Sequence, residues 1–241
     1  GLNFDAMVAY LEKLPAGDIV VLHACCHNPT GVDPTAAQWE QIANVIKARN
    51  LVPFLDIAYQ GFGDGLEQDA QVVRLFAKLD IPMFISSSFS KSFSLYGERV
   101  GALTVLSASK DEAERVLSQV KRTIRTNYSN PPTHGGTVVS MVLNSSELFA
   151  MWEKELGEMR DRIRLMRAQL VAKLKEHGTT QNFDFVLAQR GMFSYSGLTQ
   201  AQVERLRNEH GIYAVNSGRI CVAALNSRNI DAVAKAIAQV L

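Results

Sequence analysis

The chain has 241 residues, 47% hydrophobic and 20% charged, which is enough apolar material for a substantial core and excludes bulk disorder. A formal net charge of +1 without a basic block gives a nucleic acid nothing to hold, and no apolar run approaches the roughly 20 residues that span a bilayer. Three cysteines, Cys25, Cys26 and Cys221, contain no CxxC pair and cannot all be bridged, which points to reduced thiols and a cytoplasmic protein.

The opening segment GLNFDAMVAYLEKL lacks the basic start and apolar stretch of a signal peptide, and a first residue of Gly1 suggests a fragment or a processed chain. Phe4, Met7, Val8, Leu11 and Leu14 recur at helical spacing behind Asn3, a fitting N-cap, until Pro15 and Gly17 break the pattern. Ile19 to His23 reads as a strand. Asp33-Pro34 opens a helix with Pro34 in its first turn, and Trp39, Ile42, Ala43 and Ile46 form its buried face. Val52 to Ile57 is a strand, Val72 to Leu79 a helix, Met83 to Ser86 a strand and Val100 to Leu106 another. Ser109 to Glu112 makes a capping box for a helix reaching about Ile124.

From Ser146 a helical pattern runs to Glu176 and stops at His177-Gly178; at 1.5 Å per residue it spans roughly 45 Å, the length of a bridge between two domains. Beyond it, Phe185 to Leu187 reads as a strand and Gly191 marks a turn. Thr199 to Gln202 is a second capping box, Ile212 to Val215 and Ile220 to Ala223 are short strands, and a last helix starts near Asn229. Alternating strands and helices, with strand runs too apolar to be half-exposed, imply an α/β sheet covered on both faces, followed by a compact α+β tail. Chemistry then belongs in the loops just after the strands.

Three segments stand at such places. SSSFSKSFSLYGERVG, Ser86 to Gly101, puts Lys91 among small hydroxyl residues directly behind a strand. A lysine amine forms a Schiff base with an aldehyde, and Ser88 and Arg99 add donors that suit a phosphate. An isolated SxxK is, however, ordinarily a solvated lysine in a serine-rich loop. HACCHNPTGVDP, His23 to Pro34, is a turn in which Asn28 could bond a ligand oxygen or simply shape the chain. LDIAYQGFGDG, Leu55 to Gly65, places Asp56 at a strand end, where a pyridinium N–H would be a strong partner; a helix cap or an ion pair is the plainer alternative. Tyr59 could donate to a phenolic oxygen of the same ring.

Taken together, strand–Asn28, strand–Asp56–Tyr59 and strand–Ser88–Lys91–Arg99 in one α/β order resemble the fold-type I pyridoxal-phosphate aminotransferases. CCHNPTGVDP, DIAYQGF, SFSKSFSLYGERVG, TNYSNPP, GMFSYSGLT and SGRICVAALN resemble its class I aspartate and aromatic amino acid subgroup, and the resemblance covers essentially the whole chain. It implies part of a large cofactor-binding domain with a covered, mostly parallel sheet over residues 1–150. A long helix joins that part to a small α+β C-terminal domain over residues 151–241.

The resemblance also assigns roles. Lys91 matches the lysine that holds pyridoxal 5'-phosphate as an internal aldimine and moves the proton between the substrate α-carbon and the cofactor. Asp56 matches the partner of the pyridine nitrogen, and Asn28 and Tyr59 match the residues bonding the 3' oxygen. Ser88 and Arg99 match part of the phosphate cup. Arg219 matches the arginine that grips the substrate α-carboxylate, and Arg125 the one that reaches across from a partner subunit to a distal carboxylate. His23 and His27 are read as supporting or packing residues, and Phe193 as a core aromatic or a neighbour of substrate. Ala224 stands where many relatives have glycine.

The implied function is pyridoxal-phosphate-dependent transamination between an aromatic or dicarboxylic amino acid and 2-oxoglutarate, in a cytoplasmic homodimer without nucleic-acid or membrane partners. FLDIAYQGFGDG, SLYGERVG and SGRICVAALN lean toward the aromatic enzymes. The family's N-terminal stretch, which carries a phosphate loop at a helix N-terminus, is not in this sequence. The alternative implied by that is a truncated, non-catalytic fragment unable to turn over alone.

Overall fold

A computed structural model describes residues 1–241, which fall into two compact units. The first unit comprises Leu2–Ala24 and Pro34–Glu155; the second comprises Gly1, Cys25–Asp33 and Leu156–Leu241.

In the first unit, α1 (Phe4–Leu11) is capped by Asn3, whose side chain accepts from the Ala6 amide at 3.3 Å. β1 (Ile19–His23) leads to α2 (Ala36–Arg49), and here the sequence reading needs correcting. Thr35, not Asp33, is the N-cap, in a reciprocal capping box with Gln38, so Pro34 lies outside the helix. A threonine three residues before a glutamine satisfies two amides at once, which outcompetes proline's fit to the first turn. β2 (Val52–Ile57), α3 (Leu66–Asp69), α4 (Gln71–Lys78), β3 (Met83–Ser88) and β4 (Gly101–Leu106) follow, then α5 (Lys110–Asn127) and α6 (Thr133–Leu143). Ser109 caps α5 by accepting from the Glu112 amide, while the Glu112 carboxylate accepts from Ala108 instead of closing the box on Ser109.

The sheet order is β1-β2-β3-β4, with β1, β2 and β3 parallel and β4 antiparallel to β3. One face carries Leu22, Leu55, Ile57, Met83 and Ile85, all buried, and with the apolar stripes of α2 and α4 it makes the core of this unit. Trp39 of α2 meets Phe76 of α4 edge to face, with ring centroids 6.3 Å apart. The α/β class and the mostly parallel sheet stand as expected, but within this chain the cover is one-sided. The other face, with Ile19 63% and Val21 65% exposed and the half-buried Phe54 and Phe84, has no comparable helical layer. Apolar strand composition encodes that both faces are to be covered, not which residues cover them.

α7 (Ser146–Glu176) runs from the first unit into the second, the boundary lying between Glu155 and Leu156. In the second unit its stripe of Ile163, Met166, Leu170, Val171 and Leu174 is buried. α8 (Phe185–Ala188), β5 (Phe193–Tyr195), α9 (Gln200–His210), β6 (Arg219–Cys221) and α10 (Ile230–Val240) complete it. Phe185 to Leu187 is therefore a helical turn, closed by bonds from the Val186 and Leu187 amides to Phe183 and Asp184. Ile212 to Val215 forms no strand either. The Ile212 amide caps α9 by bonding Leu206, and Val215 accepts from Gly218 in a tight turn, so both groups are committed before a ladder can use them. The second strand of this sheet is short: Ile220 and Cys221 pair with β5, and Val222–Ala224 then coils into a single 3₁₀ turn. Ala224 is exposed and outside the left-handed region, so its β-carbon costs nothing there.

Candidate active site

Because β1, β2 and β3 are parallel, His23, Asp56 and the Ser86–Ser88 segment arrive at one end of the first unit's sheet. Register aligns His23, Asp56 and Ser86 in one row, so their side chains leave the same, open face. His23 Nε2 lies 3.7 Å from one Asp56 carboxylate oxygen, and Ser86 Oγ donates to the other at 3.4 Å. Asp56 keeps 40% of its side chain exposed, so the carboxylate is braced from both sides and still accessible.

Tyr59 follows just beyond β2, only 5% exposed, and Lys91 Nζ stands 4.9 Å from the centroid of its ring. A cation over an aromatic face is attracted by the ring quadrupole, which holds the ammonium group above Tyr59. The turn that carries Lys91 is pinned on both sides. Ser88 Oγ accepts from the Ser90 amide at 3.2 Å, and Ser94, at φ 54, bonds back to the Lys91 carbonyl at 3.1 Å. Trp152 Nε1 donates to the Ser92 carbonyl at 2.7 Å, and its ring stacks on Phe93 at 4.4 Å. Ser90 and Ser92 are buried while Lys91 between them is half-buried, so the turn presents the lysine and hides its neighbours.

Antiparallel pairing brings Ser88 opposite Gly101, and the Phe89 amide bonds the Val100 carbonyl at 3.2 Å. Arg99 therefore returns to the sheet end from which Lys91 departs. It adopts the left-handed conformation, φ 53, a strained choice for a non-glycine residue of the kind that gathers at functional sites. Its guanidinium is exposed and donates to the Tyr96 carbonyl at 2.9 Å.

In the second unit, the Cys25–Asp33 turn is shaped by the Asp33 carboxylate, which accepts from the Cys26 and His27 amides at 2.7 and 2.8 Å. Asn28 Oδ1 accepts from Arg219 Nη1 at 3.0 Å, across 191 residues of sequence. The Arg219 guanidinium also lies over the Phe193 ring, 4.4 Å from its centroid. The β5–β6 register explains this: Tyr195 faces Arg219 and Phe193 faces Cys221, so Phe193 and Arg219 are diagonal neighbours on one side of the ribbon. Gly31, at φ 70, approaches so closely that a β-carbon there would lie 2.8 Å from the Phe193 carbonyl.

Two groupings of the expected residues thus form: Asp56, Tyr59, Ser88, Lys91 and Arg99 at one end of the first unit's sheet, and Asn28 with Arg219 in the second unit. Arg125 joins neither. It is exposed at the end of α5, where its guanidinium bonds Ser129 Oγ. His27 is occupied with its own turn, its Nδ1 2.7 Å from Thr30 Oγ1.

Sequence reading missed three contributors. Asp69, buried at 5% exposure, accepts the Gly61, Gly63 and Asp64 amides at 2.8, 2.9 and 2.8 Å and fixes the loop that leaves Tyr59. Trp152 braces the Lys91 turn, and Arg167 is buried at 3% exposure. Only Arg167 left a trace in the sequence, as a charge within the apolar stripe of α7.

Residues 1–237 match the family described as aminotransferase class I and II. The chain is 66% identical over its full length to an aspartate aminotransferase of Pseudomonas aeruginosa, of which it covers 61%. It is 54% identical, again over its full length, to the aromatic-amino-acid aminotransferase of Escherichia coli, also covering 61%. Among solved structures, the aromatic-amino-acid aminotransferase of Burkholderia pseudomallei, covalently bound to pyridoxal phosphate, superposes with a TM-score of 0.98 at 69% identity, over 99% of this chain and 60% of that one. An aromatic amino acid aminotransferase of Psychrobacter sp. B6, cocrystallised with aspartic acid, gives a TM-score of 0.98 at 51% identity, over 100% of this chain and 60% of that one. The chain spans about three fifths of the length of the relatives it matches. The match over residues 1–237, with relatives identical at half to two thirds of positions along the whole chain, places it in the class I and II aminotransferase family.

Proposed function

We propose that the protein carrying this chain transfers amino groups between an aromatic or dicarboxylic amino acid and 2-oxoglutarate, with pyridoxal 5'-phosphate attached at Lys91. The observation that carries the reading is the Lys91 amine poised 4.9 Å above the Tyr59 ring, at the sheet end where Asp56 stands accessible between His23 and Ser86. The donor set fits this cofactor: a carboxylate for a ring N–H, a phenol for a ring oxygen, an amine for an aldehyde, and a hydroxyl and a guanidinium for a phosphate. When bound, pyridoxal phosphate supplies an electron sink for charge developing at the substrate α-carbon.

The chain's own residues do the rest. Asp56, flanked by His23 and Ser86, would pair with the ring nitrogen. Tyr59 and Asn28 would bond the ring oxygen, and Ser88 and Arg99 would hold phosphate oxygens. Lys91 would be the group that anchors the cofactor aldehyde and whose amine carries a proton at the substrate α-carbon. Arg219 fixes the α-carboxylate in a planar, two-point grip, backed by Phe193. Arg125, exposed and bonded only to Ser129 Oγ among the contacts described above, is assigned the distal carboxylate of a dicarboxylic substrate in the neighbouring subunit of a homodimer. The mixture of aspartate and aromatic enzymes among the relatives supports a dual-substrate reading over a strict aspartate one.

The test is to add pyridoxal phosphate, reduce with borohydride and map the label. Label on Lys91, lost in Lys91→Ala, is the expected result; label elsewhere overturns the assignment. Turnover of tyrosine and aspartate with 2-oxoglutarate then separates the substrate readings, and no tyrosine turnover removes the aromatic one. Label on Lys91 without any turnover means that this chain alone holds cofactor but lacks part of the machinery.

A further inference from the structure

Arg167 is a buried guanidinium with no carboxylate among its bonds. Its donors go to neutral oxygens instead: the Gly191 carbonyl at 2.6 Å, the Phe193 carbonyl at 2.7 Å, the Val186 carbonyl at 3.4 Å and Ser194 Oγ. A charge buried at 3% exposure is costly to desolvate, and a residue serving only to fill space in an apolar stripe would be leucine or methionine. Burial pushes its pKa down to about 10, with the nearby Cys26 acting in the opposite direction, so the side chain is still charged at neutral pH. What the charge obtains is a fork of donors in fixed directions, all spent on one segment, 186–194.

That segment includes the strand beneath Arg219. Side chains alternate along β5: Ser194, 0% exposed, points to the side of Arg167, while Phe193 points to the other side, where the Arg219 guanidinium rests on its ring. The same segment holds the turn that carries Asn28, the other partner of Arg219. The Arg190 amide bonds the Gly31 carbonyl at 2.7 Å, and a β-carbon placed on Gly191 would lie 2.5 Å from that of Cys26. Asn28 and Phe193, the two contacts that orient Arg219, are thus mounted on one frame whose strand is clamped from behind.

We propose that Arg167 is a positioning residue for substrate recognition: by holding the carbonyls of Gly191 and Phe193 and the Ser194 hydroxyl, it sets the angle at which Arg219 meets the α-carboxylate. This rests on the assignment of Arg219 above. The clamp makes no contact with substrate itself.

The experiment uses the full-length protein with its cofactor and compares Arg167→Lys and Arg167→Met with Arg219→Lys. Each variant is assayed with an α-amino acid and with the corresponding amine that lacks the carboxylate, and its cofactor affinity is measured by absorbance titration. For Arg167→Lys, which keeps the charge and loses the fork, the KM for the amino acid rises about tenfold, the equivalent of about 1.4 kcal/mol. kcat, cofactor affinity and the rate with the amine stay within about twofold, and Arg167→Met shows the larger KM effect. A merely structural role lowers amino acid and amine rates together, and that result, or an unchanged KM in a folded variant, overturns the proposal. If Arg219→Lys leaves the KM for the amino acid unchanged, the carboxylate assignment itself fails, whatever the Arg167 variants do. Should the Arg167 variants not fold, Ser194→Ala removes one acceptor and leaves the guanidinium; a KM rise of about threefold is then expected from one lost hydrogen bond, and no rise refutes the clamp.

Discussion

Replacing Asp69 by alanine withdraws one carboxylate from three backbone amides, and the structure sets the size of the effect. The Gly61 and Gly63 residues are buried and bond the same Asp69 oxygen at 2.8 and 2.9 Å, while the exposed Asp64 bonds the other at 2.8 Å. A hydrogen bond to a charged acceptor contributes about 1.5–3 kcal/mol, and a buried donor left without that acceptor costs about 1–3 kcal/mol. Water can replace the bond to Asp64, so the two glycine amides dominate and the loss comes to about 3–5 kcal/mol. Asp69→Asn keeps one acceptor oxygen and loses about half as much. Gly63 closes so tightly on the native carboxylate that a β-carbon on it would fall 2.4 Å from Asp69 Oδ1. Amide hydrogen exchange reads the effect locally: protection at 61 and 63 collapses in Asp69→Ala, and urea unfolding followed in parallel shifts to a lower midpoint, with Asp69→Asn between. Native protection of both glycine amides in Asp69→Ala would show that the carboxylate does not hold this loop. Since the loop continues from Tyr59, the cofactor-labelling rate at Lys91 should fall as well.

Trp152→Phe removes the donor to the Ser92 carbonyl and keeps an aromatic against Phe93, for a loss of about 1 kcal/mol, whereas Trp152→Ala opens a cavity worth about 3–5 kcal/mol. Thermal unfolding separates the two, and equal losses would deny the stack any part in fixing the Lys91 turn. Asp231 has its pKa lowered, first by the hydrogen bond from Lys173 and next by burial opposing it, while Lys173 is raised, first by Glu176 and then by Asp231. A depressed acid stabilises the fold above its unfolded value and loses that contribution as pH falls through the folded one; a raised base stabilises below its unfolded value and loses it as pH rises through the folded one. The melting temperature of the native protein should therefore exceed that of Asp231→Asn near neutral pH and converge with it in acid, and the gap should shrink in high salt because both groups are at the surface. A gap that persists in acid would place its origin outside this ion pair.

The elements that read well from sequence are those whose signals are local. The helical period of Trp39, Ile42, Ala43 and Ile46, the box of Thr199 and Gln202, and the uninterrupted run from Ser146 to Glu176 each carry their own evidence within a few turns. The failures share a cause: another group competes for the same backbone atoms. Asp33 looks like a helix cap beside Pro34, but its carboxylate is taken by the Cys26 and His27 amides and Thr35 caps instead. Ile212 to Val215 has strand composition, but the Ile212 amide is committed to a cap and the Val215 carbonyl to a turn. At the candidate site, Asp56 near the end of its strand and Tyr59 and Lys91 just behind theirs stand out in the sequence because an α/β sheet gathers such positions at one end. Trp152 does not, because what it holds is a carbonyl, which leaves no mark in a residue string, and Arg167 shows only as a charge within an apolar stripe.

The sheet's outermost strands have a practical consequence. β1 and β4 each have only one hydrogen-bonded neighbour, and beside the bare amides and carbonyls of those rims stand Ile19, Val21 and Leu103, half to two thirds open to solvent. Those rims are where a further strand can join the sheet through its backbone, so whatever pairs with them decides whether Ile19, Val21 and Leu103 meet water or protein.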